Sequence, residues 1–238
     1  MRDYTHFLFY SCQITESSII LDHTETTHAV RVLRLKQNQL FNVTDGCGQI
    51  FTCTLDQVHD GKAYGSIVHR KSLQRINARI HLNIGIPDRD ALETVATACT
   101  AMGVERITPV ICACSQDQWW NKLWPKHYQR LQNKMISAMK QSLYPFLPAL
   151  DSPLTVEQAL ENCSGKKITA DPEGENICTA INTVDFPVSC FIGPPGGYSE
   201  KEISLFKTHG STMVRIAPTR LRTELASIVL CAQLLCMG

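Results

Sequence analysis

The sequence lacks a CxxC pair, although it contains 11 cysteines among its 238 residues. The nearest approach is Cys112-Ala113-Cys114, and no histidine lies within ten residues of this pair. Structural zinc sites usually combine closely spaced cysteines with histidines, so we expect no metal site. Several other cysteines lie in apolar runs, where a reduced thiol behaves as a small buried side chain. Because reduced thiols are typical of cytosolic proteins, we expect a cytoplasmic location.

Long apolar runs and an excess of one charge are also missing. The longest apolar run, Leu225–Met237, is interrupted by Ser227 and Gln233. It is shorter than the roughly 20 residues that cross a bilayer, and residues 1–10 do not resemble a signal peptide, so we expect no membrane partner. Lys and Arg number 23 against 22 Asp and Glu, a net charge of +1. Any contact with a nucleic acid must therefore use a local concentration of positive charge.

Residues 1–72 are predicted to form a small domain of short strands. Gly46-Cys47-Gly48 and Asp60-Gly61 mark turns between runs of apolar and β-favouring residues. One predicted helix, about Glu25–Leu35, interrupts the strands. This pattern is typical of a small β-barrel. The predicted strands are His6–Cys12, Leu40–Thr44, Gln49–Val58 and Ala63–Val68.

Residues 73–238 alternate between strands and helices, which predicts an α/β domain with a mainly parallel sheet. Ser199 and Glu202 form a predicted capping box that starts a helix at Glu200. The predicted strands are His81–Ile86, Ile107–Cys112, Lys167–Ala170, Ser189–Ile192 and Met213–Ile216. The predicted helices are Ala91–Met102, Lys122–Ser142, Val156–Asn162, Glu200–His209 and Glu224–Met237.

The strand Ser189–Ile192 runs into an unusual loop, Gly193-Pro194-Pro195-Gly196-Gly197. Adjacent glycines let the backbone approach a ligand, and the prolines stiffen the loop. Loops at the carboxyl ends of parallel strands are where α/β proteins bind ligands. The loop matches neither GxGxxG nor a Walker A motif, so neither a dinucleotide nor a triphosphate is indicated. An ordinary tight turn between strand and helix is the alternative.

A second loop, Ala217–Glu224, precedes the apolar last helix and contains Arg222. One interpretation makes Thr223 the N-cap and Glu224 a first-turn acid that complements the helix dipole. The other interpretation makes this loop part of a ligand site. A third loop, Ala170–Gly174, also follows a predicted strand and is a weak signal by itself.

A basic stripe is predicted on the helix Lys122–Ser142. No acidic residue occurs from Gln118 to Leu150, and positions four residues apart share one face of a helix. This face is either an RNA-binding surface, with aromatic side chains that stack on bases, or a solvated face above core tryptophans. The basic residues are Lys122, Lys126, Arg130 and Lys134, and the interleaved aromatic residues are Trp119, Trp120, Trp124 and Tyr128.

Several motifs, in order along the whole chain, resemble those of the RsmE family of ribosomal RNA uridine-N3 methyltransferases, which belong to the SPOUT superfamily. The most specific are the run from Phe191 to Ser199 and the later Leu221-Arg222-Thr223-Glu224. Supporting matches are the first strand His6–Tyr10, His28-Ala29-Val30-Arg31-Val32-Leu33-Arg34, Met102-Gly103-Val104 with Ile107-Thr108-Pro109, and Ala138-Met139-Lys140-Gln141-Ser142 with Leu147-Pro148.

The resemblance implies a PUA-like β-barrel RNA-binding domain over residues 1–72 and a SPOUT α/β trefoil-knot methyltransferase domain over residues 73–238. It further implies a homodimer through the C-terminal helix, S-adenosylmethionine as the cofactor and 16S rRNA in the small ribosomal subunit as the partner. The alternative from the residues alone places the apolar last helix in the core of the monomer.

The resemblance also implies the residues of the site. Arg222 would stabilise charge on the uracil oxygens, and Glu224 would orient Arg222 or accept the proton. RNA contacts are expected from His28, Arg31 and Arg34, together with the basic stripe. The expected cofactor-binding residues are Ala170, Ile192, Gly193, Pro194, Gly196, Gly197, Ile216, Ala217, Pro218 and Leu221.

The chain departs from the family pattern at several positions. Pro195 replaces a usual glutamate, Ala217 a glycine, and Leu225 the last threonine of the R-T-E-T motif. Charged positions of the family align with Ala98, Ala101 and the segment that begins at Ala113. Two alternatives therefore accompany the predicted rRNA methyltransferase. One is a knotted RNA-binding protein that has lost catalysis, and the other is a SPOUT enzyme that acts on another RNA such as tRNA.

Overall fold

The computed structural model describes residues 4–76, 79–115 and 119–237. They fall into two compact units. The first comprises Met1–Arg75 and Ile136–Leu147, and the second comprises Ile76–Met135 and Pro148–Gly238. The segment Ile136–Leu147 thus joins a unit that is distant from it in sequence.

The first unit contains a six-stranded sheet in the order β1-β4-β5-β6-β3-β2. Neighbouring strands are antiparallel except β1 and β4, which are parallel. A buried cluster that includes Phe9, Leu21 and Phe41 packs against the sheet. The strands are β1 (Tyr4–Tyr10), β2 (Gln13–Ile14), β3 (Ser18–Leu21), β4 (Leu40–Thr44), β5 (Gln49–His59) and β6 (Lys62–Ser72).

The single helix predicted over Glu25–Leu35 is two shorter elements. Helix α1 (His23–Thr27) begins at Asp22, whose side chain accepts a hydrogen bond from the Glu25 N–H. It continues as a π-helical turn over His28–Val32. The helical path then ends because Arg34 has a φ of 62°, outside the right-handed helical region.

The second unit contains a parallel sheet in the order β10-β8-β7-β12-β11-β13, with β9 paired to β8. The predicted α/β class with a mainly parallel sheet is therefore confirmed. The strands are β7 (Ile80–Gly85), β8 (Arg106–Ile111), β9 (Ala149–Leu150), β10 (Leu154–Thr155), β11 (Lys166–Asn176), β12 (Val188–Ile192) and β13 (Thr212–Arg215).

Helices cover this sheet, and their starts follow local sequence signals. Asp88 caps α2, and the predicted capping box of Ser199 and Glu202 starts α6. Helix α3 is shared between the two units, since its last residues lie in Ile136–Leu147. The helices are α2 (Arg89–Ala101), α3 (Trp119–Ser142), α4 (Val156–Glu161), α5 (Ile177–Ala180), α6 (Glu200–Thr208) and α7 (Thr223–Cys236).

The apolar helix α7 packs against α2 and the central strands. Leu230 and Leu234 are fully buried, whereas the side chain of Leu225 is 47% exposed. Among the described residues no helix is long and apolar enough to cross a membrane.

Candidate functional site

A cavity of about 840 Å³ opens at the carboxyl ends of β12 and β13 and beside the irregular middle of β11, in the second unit. This volume lies within the range of about 300–1,000 Å³ that is usual for small-molecule sites. Its walls are the segments 170–173, 192–198 and 214–224, together with Asp88 and Ile203, and Ala226 of α7. The three loops that the sequence singles out therefore meet at one site.

Every residue predicted to bind the cofactor lines this cavity, and so do the two predicted catalytic residues. Their roles in binding and catalysis stay predictions. The residues brought together are Ala170, Ile192, Gly193, Pro194, Gly196, Gly197, Ile216, Ala217, Pro218, Leu221, Arg222 and Glu224.

The glycine loop after β12 is held in a tight turn. The N–H of Gly197 donates to the carbonyl of Pro194 at 2.8 Å, and Gly197 has a φ of 76° that favours glycine. The ring of Tyr198 lies beside Gly193 and packs edge-on against Phe206, 4.7 Å between ring centroids. Burial raises the pKa of Tyr198, so its phenol stays protonated at neutral pH.

The loop before α7 is tied to the glycine loop by side chains. The hydroxyl of Thr223 donates to the carbonyl of Gly193 at 3.0 Å, and Arg220 donates to the carbonyl of Pro195 at 3.3 Å. The prediction of Thr223 as the N-cap is wrong, because Arg222 is the N-cap and contributes no side-chain hydrogen bond to the helix end. The Thr223 side chain instead joins the two loops that shape the cavity.

The third wall is a bulge in β11. Pairing with β13 shifts between Ala170 and Glu175, so the residues between them leave the ladder, and Asp171 and Glu173 line the cavity. A Cβ on Gly174 would come within 2.7 Å of the Val214 backbone, so no larger residue fits without a shift. The predicted strand Lys167–Ala170 therefore continues past its predicted end, and its irregular part supplies two acids.

The cavity contains charges of both signs. Its acidic lining residues are the predicted Glu224 and, in addition, Asp88, Asp171 and Glu173. Its basic lining residues are the predicted Arg222 and, in addition, Arg215 and Arg220. Among the described residues, the side chains of Arg222 and Glu224 form no hydrogen bond or ion pair, with each other or elsewhere. Both are therefore available to a ligand. Glu224 lies in the first turn of α7, as one interpretation of this loop predicts.

Sequence reasoning missed Asp88, Tyr198, Arg215 and Arg220 as lining residues. Asp88 had a usable signal, because Gly85-Ile86-Pro87-Asp88 is another glycine- and proline-containing loop at a strand end. Arg215 at the end of β13 and Arg220 in the following loop carried no comparable signal, since an isolated basic residue usually faces solvent.

The basic stripe on α3 is partly neutralised within the second unit. Glu93 on α2 is buried. Its carboxylate forms ion pairs with Arg130 Nε, at 2.5 Å, and with Lys134 Nζ, at 3.0 Å. Burial opposes ionisation of Glu93, but hydrogen bonds from Lys134 and Arg130 hold its pKa below the usual value. Lys122 and Lys126 are exposed and have no acidic partner among the described residues. Of the four residues of the predicted stripe, Arg130 and Lys134 are thus paired with an acid, whereas Lys122 and Lys126 are not paired with one among the described residues. Their RNA-binding role stays a prediction.

The aromatic residues beside this stripe are not fully buried. Trp120, Trp124 and Tyr128 are half-buried, and Trp124 packs edge-on against Tyr128 at 6.3 Å between centroids. The side chain of Trp119 lies outside the described structure. The alternative of core tryptophans therefore does not hold in full for Trp120 and Trp124, which are only half-buried.

The remaining predicted RNA contacts belong to the first unit. His28 and Arg31 lie in the π-helical turn, and Arg34 follows it. All three are exposed, and the His28 ring packs 5.8 Å from the Phe9 ring. Irregular helical turns of this kind are frequent at functional sites.

The parallel sheet and its carboxyl-edge cavity place this chain in the class of α/β proteins with a small-molecule site built on strand-end loops. A model of the RNA methyltransferase domain matches residues 74–235, and the chain belongs to this family. The resemblance to the RsmE family is likewise confirmed by curated relatives.

Two of these relatives are named ribosomal RNA small subunit methyltransferase E. The protein from Synechocystis is 26% identical over 93% of this chain and 74% of its own length. The protein from Aquifex aeolicus is 25% identical over 93% of this chain and 95% of its own length.

Solved structures share the fold over nearly the whole chain. The putative methyltransferase of Legionella pneumophila, in complex with bound S-adenosylmethionine, has a TM-score of 0.89 at 24% identity and covers 100% of this chain and 99% of its own. The ribosomal RNA small subunit methyltransferase E of Neisseria gonorrhoeae, bound to S-adenosylmethionine, has a TM-score of 0.83 at 23% identity, covering 95% of each chain.

Proposed function

We propose that this protein transfers a methyl group from S-adenosylmethionine to N3 of a uridine in 16S rRNA of the small ribosomal subunit. The observation that carries the proposal is the cavity between the glycine loop and the loop before α7, in a chain of the RNA methyltransferase family. The names of the curated relatives support ribosomal RNA as the substrate.

The finer fold is part of this proposal. We infer a SPOUT trefoil knot in residues 73–238. Two strand-end loops that are hydrogen-bonded to each other at the cavity support this inference. We infer a PUA-like β-barrel for RNA in residues 1–72, supported by the six-stranded, mostly antiparallel sheet of the first unit. Both inferences rest on the resemblance of the ordered motifs.

The residues of the cavity fit S-adenosylmethionine. The volume suits a ligand of this size, and the glycine and proline loops offer backbone groups at close approach. Asp88, Asp171 and Glu173 provide carboxylates for a cationic ligand with hydroxyl groups. Arg220, which lies between the glycine loop and α7, provides a donor for a carboxylate. Bound cofactor would supply an electrophilic methyl group to a nitrogen nucleophile.

Arg222 and Glu224 act on the uracil in the proposed reaction. Uracil N3 becomes a nucleophile only as it loses its proton, and negative charge then develops on the neighbouring oxygens. The Arg222 guanidinium, free of intramolecular partners among the described residues, would stabilise that charge. Glu224 would orient Arg222 on the substrate or accept the N3 proton.

The proposed enzyme works as a cytoplasmic homodimer through α7. Leu225 and Cys236 are exposed apolar side chains on α7, and a second copy of this helix would cover them. Assembly with the small ribosomal subunit requires the cytoplasm, and the 11 free cysteines agree with a reducing compartment.

Replacing Lys126 with alanine is expected to weaken RNA binding and to lower the salt slope of the affinity by about one. Lys134→Ala is expected to change the slope less, because Glu93 already neutralises Lys134. Fluorescence anisotropy with a fragment of 16S rRNA across a salt series measures both variants. Equal slopes for the two variants would contradict the role of Glu93.

The function is tested by incubating the protein with S-adenosylmethionine and small subunits from a strain that lacks the modification. Nucleoside mass spectrometry is expected to show a stoichiometric gain of N3-methyluridine. A protein that binds the cofactor but methylates no RNA would instead be a catalytically degenerate RNA-binding member. A methylated tRNA with unmodified small subunits would point to the other substrate.

A further inference from the structure

The parallel sheet of the second unit has an unusual polar face near the amino ends of its strands. His81 and Asn83 on β7 pair in register with Arg106 and Thr108 on β8. Between them Leu82 points to the opposite, fully buried apolar face. Strands of parallel sheets are normally apolar on both faces, so a polar face inside such a sheet requires a reason.

This polar face lines a second cavity of about 290 Å³. The cavity shares no lining residue with the larger one and lies toward the other end of the strands. On β12, for example, Ser189 lines the smaller cavity and Ile192 the larger. The remaining lining residues are Asp151, Ser152, Leu154, Ala159, Asn162 and Cys163.

The charged groups in this cavity are already paired and fixed. One carboxylate oxygen of Asp151 accepts from Arg106 at 2.6 Å, and the other accepts from the Thr108 hydroxyl at 2.6 Å. The ring of His81 lies between Glu105, at 3.2 Å, and the Ser164 hydroxyl, at 3.4 Å. Because the Arg106 guanidinium and the Asp151 carboxylate neutralise each other, the cavity favours an uncharged polar ligand over an anion or a cation.

Three uncharged polar groups are left with hydrogen-bonding capacity. Asn83 is only 5% exposed, and its one hydrogen bond among the described residues is a long one, 3.4 Å from Nδ2 to the Cys190 carbonyl. Its side-chain oxygen receives no donor from these residues. Asn162 and Ser152, at the exposed side of the cavity, have no side-chain partner in the described structure. Asn83, Asn162 and Ser152 therefore offer uncharged donors and acceptors to a ligand in the cavity.

We propose that this cavity binds a single nucleobase. Its volume falls just below the usual range for drug-sized ligands, so it suits one small ring system. Carboxamide and hydroxyl groups, here those of Asn83, Asn162 and Ser152, are among the groups that read the edges of bases. Leu154 and Ala159 provide apolar contact for the ring. The base comes from the RNA substrate or from a free nucleoside. The first source rests on the proposed function and makes the cavity a second RNA-reading site, separate from the methyl-transfer cavity.

Binding is tested by titrating ¹⁵N-labelled full-length protein with uridine, cytidine, adenosine and guanosine, and with ribose as the base-free control. At least one nucleoside, but not ribose, is expected to shift the side-chain amide resonances of Asn83 and Asn162. Asn162→Ala is expected to weaken this binding roughly tenfold. Glu161→Ala, an exposed change next to it that does not line the cavity, should leave it unaltered. Asn83→Leu tests the buried amide directly. If Asn83→Leu does not fold, the exposed substitution Asn162→Ala still tests the proposal.

The source of the base is separated by measuring RNA affinity and methyl transfer on the same variants. Weaker RNA binding by Asn162→Ala, with unchanged cofactor affinity, identifies a base of the RNA. Unchanged RNA binding with lost nucleoside binding identifies a free nucleoside. The proposal is overturned if no nucleoside shifts these amides and RNA affinity is insensitive to Asn162. Methyl transfer by the unaltered protein would in that case still support the proposed function.

Discussion

Arg222→Ala is expected to lower kcat for methyl transfer roughly 10²–10³-fold, the usual loss when one donor to a developing oxyanion is removed. Arg222 lines the main cavity, is exposed, and has no side-chain partner among the described residues. It caps α7 through its backbone alone, so the fold should not change when its side chain is lost. Cofactor affinity should change little, because the proposed charge develops only on the uracil.

Single-turnover methyl transfer and calorimetric titration of S-adenosylmethionine separate these effects. Arg215→Ala is the matched control, since Arg215 is also exposed and lines the same cavity but lies on β13. An unchanged rate for Arg222→Ala would remove this arginine from the mechanism. A loss of cofactor affinity as large as the loss of rate would assign Arg222 to the cofactor instead.

The regular elements of the chain were largely predictable because local signals determine them. The strand Leu40–Thr44 has the bounds predicted from its β-favouring residues, and the helix after Ser199 starts at its capping box. The site loops were predictable for the same reason, since glycine and proline accumulate where backbone must approach a ligand. Local patterns do not specify pairing, so the parallel contact of β1 with β4 was not foreseen.

Contacts between residues that are far apart in the sequence could not be predicted. The basic stripe looked free of acids because Glu93 lies outside the window from Gln118 to Leu150. Thr223 has the residue type of an N-cap, but its hydroxyl goes to Gly193, 30 positions earlier. In both cases a contact with a residue distant in sequence overrides what the local pattern indicates.

Substitution of Lys140 has the second large expected effect, which is a loss of stability of the first unit. It forms an ion pair with Glu25, whose other carboxylate oxygen accepts the Tyr10 N–H at 3.1 Å. Side-chain exposure is 17% for Lys140 and 7% for Glu25. This pair therefore joins the segment Ile136–Leu147 to α1 and to β1 within that unit.

Lys140→Met is expected to lower the free energy of unfolding by about 3–5 kcal/mol, because it leaves the buried carboxylate of Glu25 without its cation. Glu25→Gln combined with Lys140→Met should recover much of this loss, since no uncompensated charge remains. Lys122→Met, on the exposed part of the same helix, is the matched control and should stay within about 0.5 kcal/mol of the original. Denaturant unfolding followed by circular dichroism measures all three. An equal, small effect at Lys140 and Lys122 would mean that the buried pair does not stabilise the first unit.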